Sequence, residues 1–392
     1  MTETTTSDQF TVGQELYAAT KNGNIKAWSC SVAAEKKDQT GPATLIIVSK
    51  TKLDGKPITR HENISTGKNV GRANETTPYQ QACSEAASRY RKKLDKGYSL
   101  KVPTDTTQAG TNSLGYPMPM LAKPIDKVKT VEFPAILQPK LDGHRAIVTK
   151  QKGHMIMYSR QGKVITTMNH ILSFMTDHMS NGEFYDGELY IHGTPLQDIG
   201  KLVKKWRLDS VKVSFCVYDY ITDEPYTERI HSLEALWSGM IGKTKPPIYM
   251  ITGDVVQDME EAIKKTDWYI AQGFEGGILR TPDTGYEAGF RSSSLLKIKK
   301  FDDHEFKILQ VIEGKARNVN DTALKVAVFQ CALNDNTGRT FEVLAHGTQE
   351  EKDYAFHHQD EFVNKMLTVR HSGWTKDKMP WHPTAVRLKE DV

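Results

Sequence analysis

The chain has 392 residues, a formal net charge of +4, and is 38% hydrophobic and 26% charged. That length allows two or three domains with their own cores, and no apolar run approaches a membrane span. The opening MTETTTSDQF lacks the charged-then-apolar order of a signal peptide. Cys30, Cys83, Cys216 and Cys331 lie far apart without a CxxC pair, which argues against a zinc site or a disulfide scaffold and fits a reducing cytoplasm.

In chain order, residues 1–9 are polar and Thr-rich and are expected to be disordered. The runs ELYAAT, AWSCSVAA and ATLIIVS then alternate with Gly/Asp/Lys turns, which predicts a small sheet. PYQQACSEAASRYRKKLDKGY reads as one helix, because Ala82, Ala86, Tyr90 and Leu94 fall at i, i+4 spacing and Gly97 supplies a stop. TDTTQAGTNSLGYP has no hydrophobic period and reads as a linker. From Met118 to Lys300, strand-like runs alternate with helical patterns, an α/β arrangement. Beyond Phe301, FKILQVIEG, LKVAVFQCAL, FEVLAHG and LTVRHSG predict a small β-domain with one helix near QEEKDYAFH.

A net charge of +4 does not by itself demand a polyanionic partner. Basic residues nonetheless cluster in RYRKKLDKGY (89–98), GKLVKKWR (200–207) and LLKIKKF (295–301). One such run reads equally well as a solvated helix face; three together point toward a polyanion.

The middle segment contains six stretches with charges set among β-formers: ILQPKLDGHRAIV, YSRQGKVI, YDGELYI, SFCVYDYI, GFEGGILR and LLKIKK. Period two puts Lys297 and Lys299 on one strand face and Leu296 and Ile298 on the other, and puts Glu188 on the face of Asp186. Glycines beside the charges allow tight turns and close backbone approach to a ligand. Singly, each stretch has an ordinary reading: a KxDG turn, an edge-strand guard, a core tyrosine. Their order is distinctive. Lys140 comes first, followed by Arg160, Glu188, Tyr218, Glu275 and the lysine pair.

This ordered set resembles the covalent nucleotidyltransferase superfamily of ATP-dependent DNA ligases, RNA ligases and mRNA capping enzymes. Its signature is KxDG, a downstream Arg, (D/E)GE, an aromatic, EG and KxK, and the likeness runs from Met118 to the C-terminus. The resemblance implies that Lys140 attacks the α-phosphorus of ATP, giving a lysine–AMP phosphoramidate and pyrophosphate. An amine is nucleophilic only when unprotonated, and cationic neighbours such as Arg145, Lys297 and Lys299 favour the neutral form. Lys297 and Lys299 would also hold the α-phosphate and its developing charge. Glu188 would bind the ribose hydroxyls and, with Glu275, place an Mg²⁺ or Mn²⁺ ion that masks phosphate charge. Tyr218 would stack on adenine, with Gln138 a candidate for its edge. Arg145, Arg160 and Arg291 would bind the AMP phosphate or a 5′-phosphate. Asp142 would orient the site or simply shape the turn.

The implied fold class is multidomain α+β. An adenylyltransferase domain of the ATP-grasp-like DNA ligase type covers 118–300, and an OB-fold β-barrel follows over 301–392. The closing RLKED resembles the last motif of that barrel, with Arg387 and Lys389 orienting pyrophosphate; the preceding turn reads PWHP, where ligases often carry an arginine. Residues 10–104 resemble a small α+β WGR domain, with Val70 in place of the name-giving tryptophan, joined through a linker over 105–117. Arg72, Arg89 and Lys93 are its candidate DNA contacts. The function implied is an ATP-dependent DNA ligase acting as a monomer on nicked double-stranded DNA. It would act away from membranes, in the nucleoid-associated cytoplasm of a bacterium or a phage-infected host. The alternatives are an RNA ligase or RNA-repair enzyme of the same superfamily, and a non-catalytic DNA-end-binding protein. The intact lysine, glutamates and lysine pair oppose the latter.

Overall fold

The computed structural model describes residues 12–104, 106, 109–238, 247–314, 318–319, 325–335, 337–375 and 377–389. The Thr-rich start and the last residues of RLKED lie outside the described residues.

Four antiparallel strands open the fold: β1 (Leu16–Ala19), β2 (Ile25–Ala34), β3 (Ala43–Lys50) and β4 (Ile58–Ile64). The sequence reading identified the first three; β4, with the charges of ITRHENI, lacked a clean apolar alternation. Helix α1 (Pro78–Leu94) begins where Thr77 and Gln80 form a reciprocal capping box with Pro78 in the first turn. Its Ala82, Ala86 and Tyr90 face pack on Leu16, Trp28, Cys30 and Leu45 of the sheet. The buried Tyr90 hydroxyl accepts from the Gly13 and Cys30 N–H groups and donates to Gln14 O. Residues 109–117, within the stretch read as a linker, form a tight turn. The Asn112 carboxamide oxygen accepts from the N–H groups of Leu114 and Tyr116, and Gly110 lies against Ala288.

The middle of the chain builds two five-stranded sheets. Its strands are β5 (Leu121–Pro124), β6 (Ala135–Lys140), β7 (His144–Gln151), β8 (His154–Ser159), β9 (Phe184–Tyr190), β10 (Ser214–Tyr220), β11 (Ile248–Met250), β12 (Asp254–Val256), β13 (Gly276–Arg280) and β14 (Arg291–Ile298). One sheet has the order β12-β6-β13-β14-β5 and the other β11-β10-β9-β7-β8. Helices α2 (Asn169–Met175), α3 (Leu196–Lys204) and α4 (Tyr226–Ser238) accompany the second sheet, and α5 (Met259–Ala271) the first. The chain crosses between sheets at Leu141–Gly143 and returns at Ile251–Gly253. The opening charged motif is therefore the hinge of two layers.

The last part holds β15 (Asp302–Glu313), β16 (Asn318–Val319), β17 (Ala327–Ala332), β18 (Thr340–Leu344), α6 (Gln349–His357), β19 (Met366–His371) and β20 (Thr384–Leu388). β16 pairs with β4 and extends the N-terminal sheet. The other strands form an antiparallel sheet in the order β18-β17-β15-β19-β20. β15 pairs through its first half with β19 and through its second half with β17, so the sheet bends around Phe306, Phe329, Phe341 and Leu367. The expected barrel closure is not observed: among the described residues no hydrogen-bonded ladder joins β18 to β20. Helix α6 instead packs on β15 and β17 and covers part of that core with Ala355.

Candidate active site

The site starts from strand register. Lys140, the last residue of β6, lies opposite Gly276 of β13, and the Glu275 N–H donates to Lys140 O at 2.9 Å. Gly276 is required here, because a side chain would put its Cβ 2.2 Å from Ile298 O of β14. This close approach gathers three strands, and the Glu275 carboxylate accepts from both Lys140 Nζ and Lys299 Nζ. Burial alone would raise the Glu275 carboxyl, but the two ammonium groups outweigh it and leave it below the usual carboxylate range. Lys297 is lowered by burial and then by Lys299, Lys140 and Arg291. Leu296 and Ile298 lie in the core, as period two predicts.

The second sheet supplies the opposite wall. A Cβ on Gly143 would lie 2.5 Å from Leu189 O, so only glycine lets the crossing loop reach β9. Arg145 then sits opposite Glu188. Its guanidinium grips the fully buried Asp186 with Nε at 2.9 Å and a second nitrogen at 2.5 Å, while the Tyr286 hydroxyl donates to the same carboxylate at 2.6 Å. Tyr218 falls at a register shift in β10; its hydroxyl donates toward Glu188 and Gly187 O, each at 3.3 Å. The Arg145 and Arg280 guanidinium carbons each stand 5.6 Å from its ring centroid.

Burial pushes the Glu188 carboxyl up to about 8, against the pull of Lys140 and Arg145. The folded-state value thus lies above the 4.5 of an ordinary Glu, so ionising this group costs folding free energy. Relative to Glu188→Gln, the parent should be equally stable below pH 4.5 and lose ground as pH rises through 8. The full difference is about 3–5 kcal/mol at roughly 1.36 kcal/mol per unit. Parallel pH profiles of the urea midpoint for the two proteins would refute this. Asp142 is likewise raised, by burial and by Glu275.

The remaining predicted residues are placed as follows. Gln138 is buried with both ends occupied: its nitrogen donates to Ile251 O at 2.7 Å and its oxygen accepts from Arg280 Nε at 2.8 Å. Arg160 is exposed in the turn after β8, where burial of its head and the nearby Arg145 and Arg291 lower it. Arg291 is exposed at the start of β14 and donates to Ala122 O. Arg387 lies on β20 opposite Thr368, near Asp303, and the Lys389 N–H donates to Met366 O. Among the described residues no ion pair joins either side chain to the Lys140–Glu275–Lys299 cluster.

Two N-terminal candidates are engaged within the protein. Arg89 pairs with Glu62 at 2.6 Å, and Lys93 stands over the rings of Trp28 and Tyr98 at 4.9 and 4.4 Å. Burial and Lys26 lower Lys93 to about 8. These contacts leave Arg72, on an exposed turn, as the candidate of the three that faces solvent.

Sequence reasoning missed a buried ion cluster beneath the site. Asp219 accepts from Arg229 Nε at 2.8 Å and from Arg280 at 2.5 Å, and all three are at most 4% exposed. Asp219 stands beside Tyr218 and Arg280 closes GFEGGILR, so the residues were in view without their pairing. For a divalent ion, the available donors are carboxylate oxygens at Glu275, Glu188 and Asp142. No group of three His, Cys, Asp or Glu residues gathers as a cage among the described residues.

Residues 119–299 match the ATP dependent DNA ligase domain family. The DNA ligase of African swine fever virus (isolate Pig/Kenya/KEN-50/1950) is 27% identical over 271 residues, 66% of this chain and 62% of the viral protein. The chain therefore spans less than two thirds of that relative's length. The DNA ligase of Enterobacteria phage T4 is 25% identical over 174 residues, 42% of this chain and 34% of its own. A solved structure from a study of Lig E DNA ligases superposes with a TM-score of 0.56 at 20% identity, covering 69% of this chain and 99% of that one, a likeness of fold. Residues 119–299 thus resemble the ATP dependent DNA ligase domain, and viral DNA ligases are among the proteins to which the chain is similar.

Proposed function

We propose that the protein is an ATP-dependent DNA ligase that seals 5′-phosphate/3′-hydroxyl nicks in duplex DNA. The observation that carries this is the convergence of Lys140 and Lys299 on Glu275, facing Arg145, Glu188 and Tyr218 across the junction of two sheets. This arrangement supports a reading in which Lys140 is the nucleophile, the cations take phosphate, Tyr218 takes the base and Glu188 the ribose.

In this reading Lys140 Nζ leaves Glu275, gives a proton to solvent and attacks the α-phosphorus of ATP; the N–P bond forms as the bond to pyrophosphate breaks, and a second proton passes from the nitrogen to solvent. Lys297 and Lys299 bear on the α-phosphate oxygens. Arg145 is held by Asp186 and keeps Tyr218 in place for the adenine ring. Gln138 and Arg280 brace that wall rather than meeting the base directly. Glu275 and Glu188 would hold Mg²⁺ or Mn²⁺, which when bound masks triphosphate charge. AMP then passes to the 5′-phosphate of the nick, which Arg160 and Arg291 receive, and the 3′-hydroxyl displaces AMP.

The bent C-terminal sheet is read as an opened OB-type module, and residues 10–104 as a WGR-like module that meets DNA through Arg72. The protein works as a monomer in the cytoplasm; no described helix is long and apolar enough to cross a membrane. Arg387 lies outside the lysine cluster, so the C-terminal sheet swings to bring it and Lys389 to ATP. Arg387→Ala should slow self-adenylation about 100-fold yet spare sealing of a nick already carrying AMP; equal loss in both assays refutes the swing. The whole reading is tested by incubating a 5′-phosphorylated nick with ATP and Mg²⁺ and resolving the strands on a denaturing gel. AMP on the protein without a longer DNA strand would favour RNA as the substrate.

A further inference from the structure

Helix α3 is followed by Lys205–Arg207 and a short helical turn, Leu208–Lys212, and this segment presents three large apolar side chains to solvent: Trp206 is 55% exposed, Leu208 81% and Val211 57%. The backbone beneath them is fixed. Ser210 is fully buried, and its hydroxyl accepts from the Arg207 N–H and donates to Leu202 O, each at 2.9 Å. Val213 is buried behind it. A fixed turn that holds a tryptophan and a leucine out of the core has not merely failed to pack them.

The charges around these side chains are predominantly positive. Lys201, Lys204, Lys205, Arg207 and Lys212 face Asp209 alone within the segment. Lys201 pairs with Asp198 and Lys212 with Asp209, whereas no carboxylate pairs with Lys204, Lys205 or Arg207 among the described residues. The patch is rigidly tied to the site. Gly200 of α3 sits so close to His144 that a Cβ there would be 2.7 Å from Nε2, and burial with Lys204 lowers His144. His144 closes the loop that begins at Lys140.

On the basis of the ligase reading, we infer that Trp206 and Leu208, flanked by Lys204, Lys205 and Arg207, form a duplex-DNA contact that seats the nick against Lys140. The cations take phosphates on the flanking strand, and the apolar side chains fill the groove between them against sugars and base edges. Charge complementarity selects DNA over an apolar protein partner, since a protein would need acids opposite each unpaired cation.

The test uses the full chain with two variants, Trp206→Ala/Leu208→Ala and Lys204→Ala/Lys205→Ala. Three quantities are measured: AMP transfer from ATP to the protein, sealing kinetics, and affinity for a 5′-phosphorylated nicked duplex across a salt series. Parental AMP transfer is expected in both, which also reports intact folding. KM for the nick should rise about 10-fold in each, with kcat nearly unchanged. The salt slope should fall by about two in the lysine variant alone. Parental affinity for the nick in both variants overturns the inference and leaves the patch to a protein partner. A parent that seals while the variants bind normally defeats this inference only; a parent that neither takes AMP nor seals defeats the ligase reading on which it rests.

Discussion

Lys140→Ala should leave no AMP on the protein and no sealed product from ATP and a nick. No neighbouring amine stands in the same position. Lys299 reaches Glu275 from the end of β14, and Lys297 projects from the strand itself, opposite Ile278. Both come from β14 rather than from β6, whereas attack needs a nitrogen in line with the departing pyrophosphate. Removing a covalent nucleophile typically costs about 10⁶-fold in turnover, which here means no detectable signal. Label from α-³²P-ATP retained by the variant on a denaturing gel would take the role away from Lys140. The variant should still fold, because the lysine side chain is partly exposed and its loss frees Glu275 to pair with Lys299 alone.

Asp219→Ala should destabilise the fold by about 3–5 kcal/mol, the scale of a broken buried ion pair. The carboxylate is 1% exposed and accepts from two guanidinium groups that are themselves 2% and 4% exposed. Alanine would leave both charges in a dry interior, where neither can reach water without opening the layer. Arg229 retains carbonyl partners at Glu224 and Thr284, at 2.6 and 2.7 Å, so Arg280 should be the more disturbed of the two. Arg280 also holds Gln138, two residues before Lys140 on β6, so self-adenylation should fall even in the folded fraction. Urea unfolding of parent and variant measures the first effect; a loss below about 1 kcal/mol would mean that the cluster is hydrated or rearranges.

These two residues mark the divide between local and tertiary information. Lys140, Glu188, Glu275 and the lysine pair stand out in the sequence as candidates because each lies in a short, ordered motif whose glycine and strand period announce its local geometry. Helix α1 was legible for the same reason: its cap, apolar spacing and stop are all written within its own span. The strand runs of the last segment were also correctly placed, but whether the sheet closes depends on edges far apart in the chain, and β18 and β20 do not pair.

The Asp219 cluster was hidden because charge pairing carries no local pattern: its arginines lie 10 and 61 residues away. Arg89 and Lys93 read in sequence as part of a basic helix face, but the sheet brings Glu62 to the one and Trp28 to the other. Sequence alone singled out the lysines, carboxylates and arginines as candidates for chemistry, since amine, carboxylate and guanidinium are properties of residue type and near neighbours. Only the tertiary structure decided which charges are spent on each other inside the protein and which remain for a ligand, because a buried charge takes its partner from whatever the fold brings within hydrogen-bond reach.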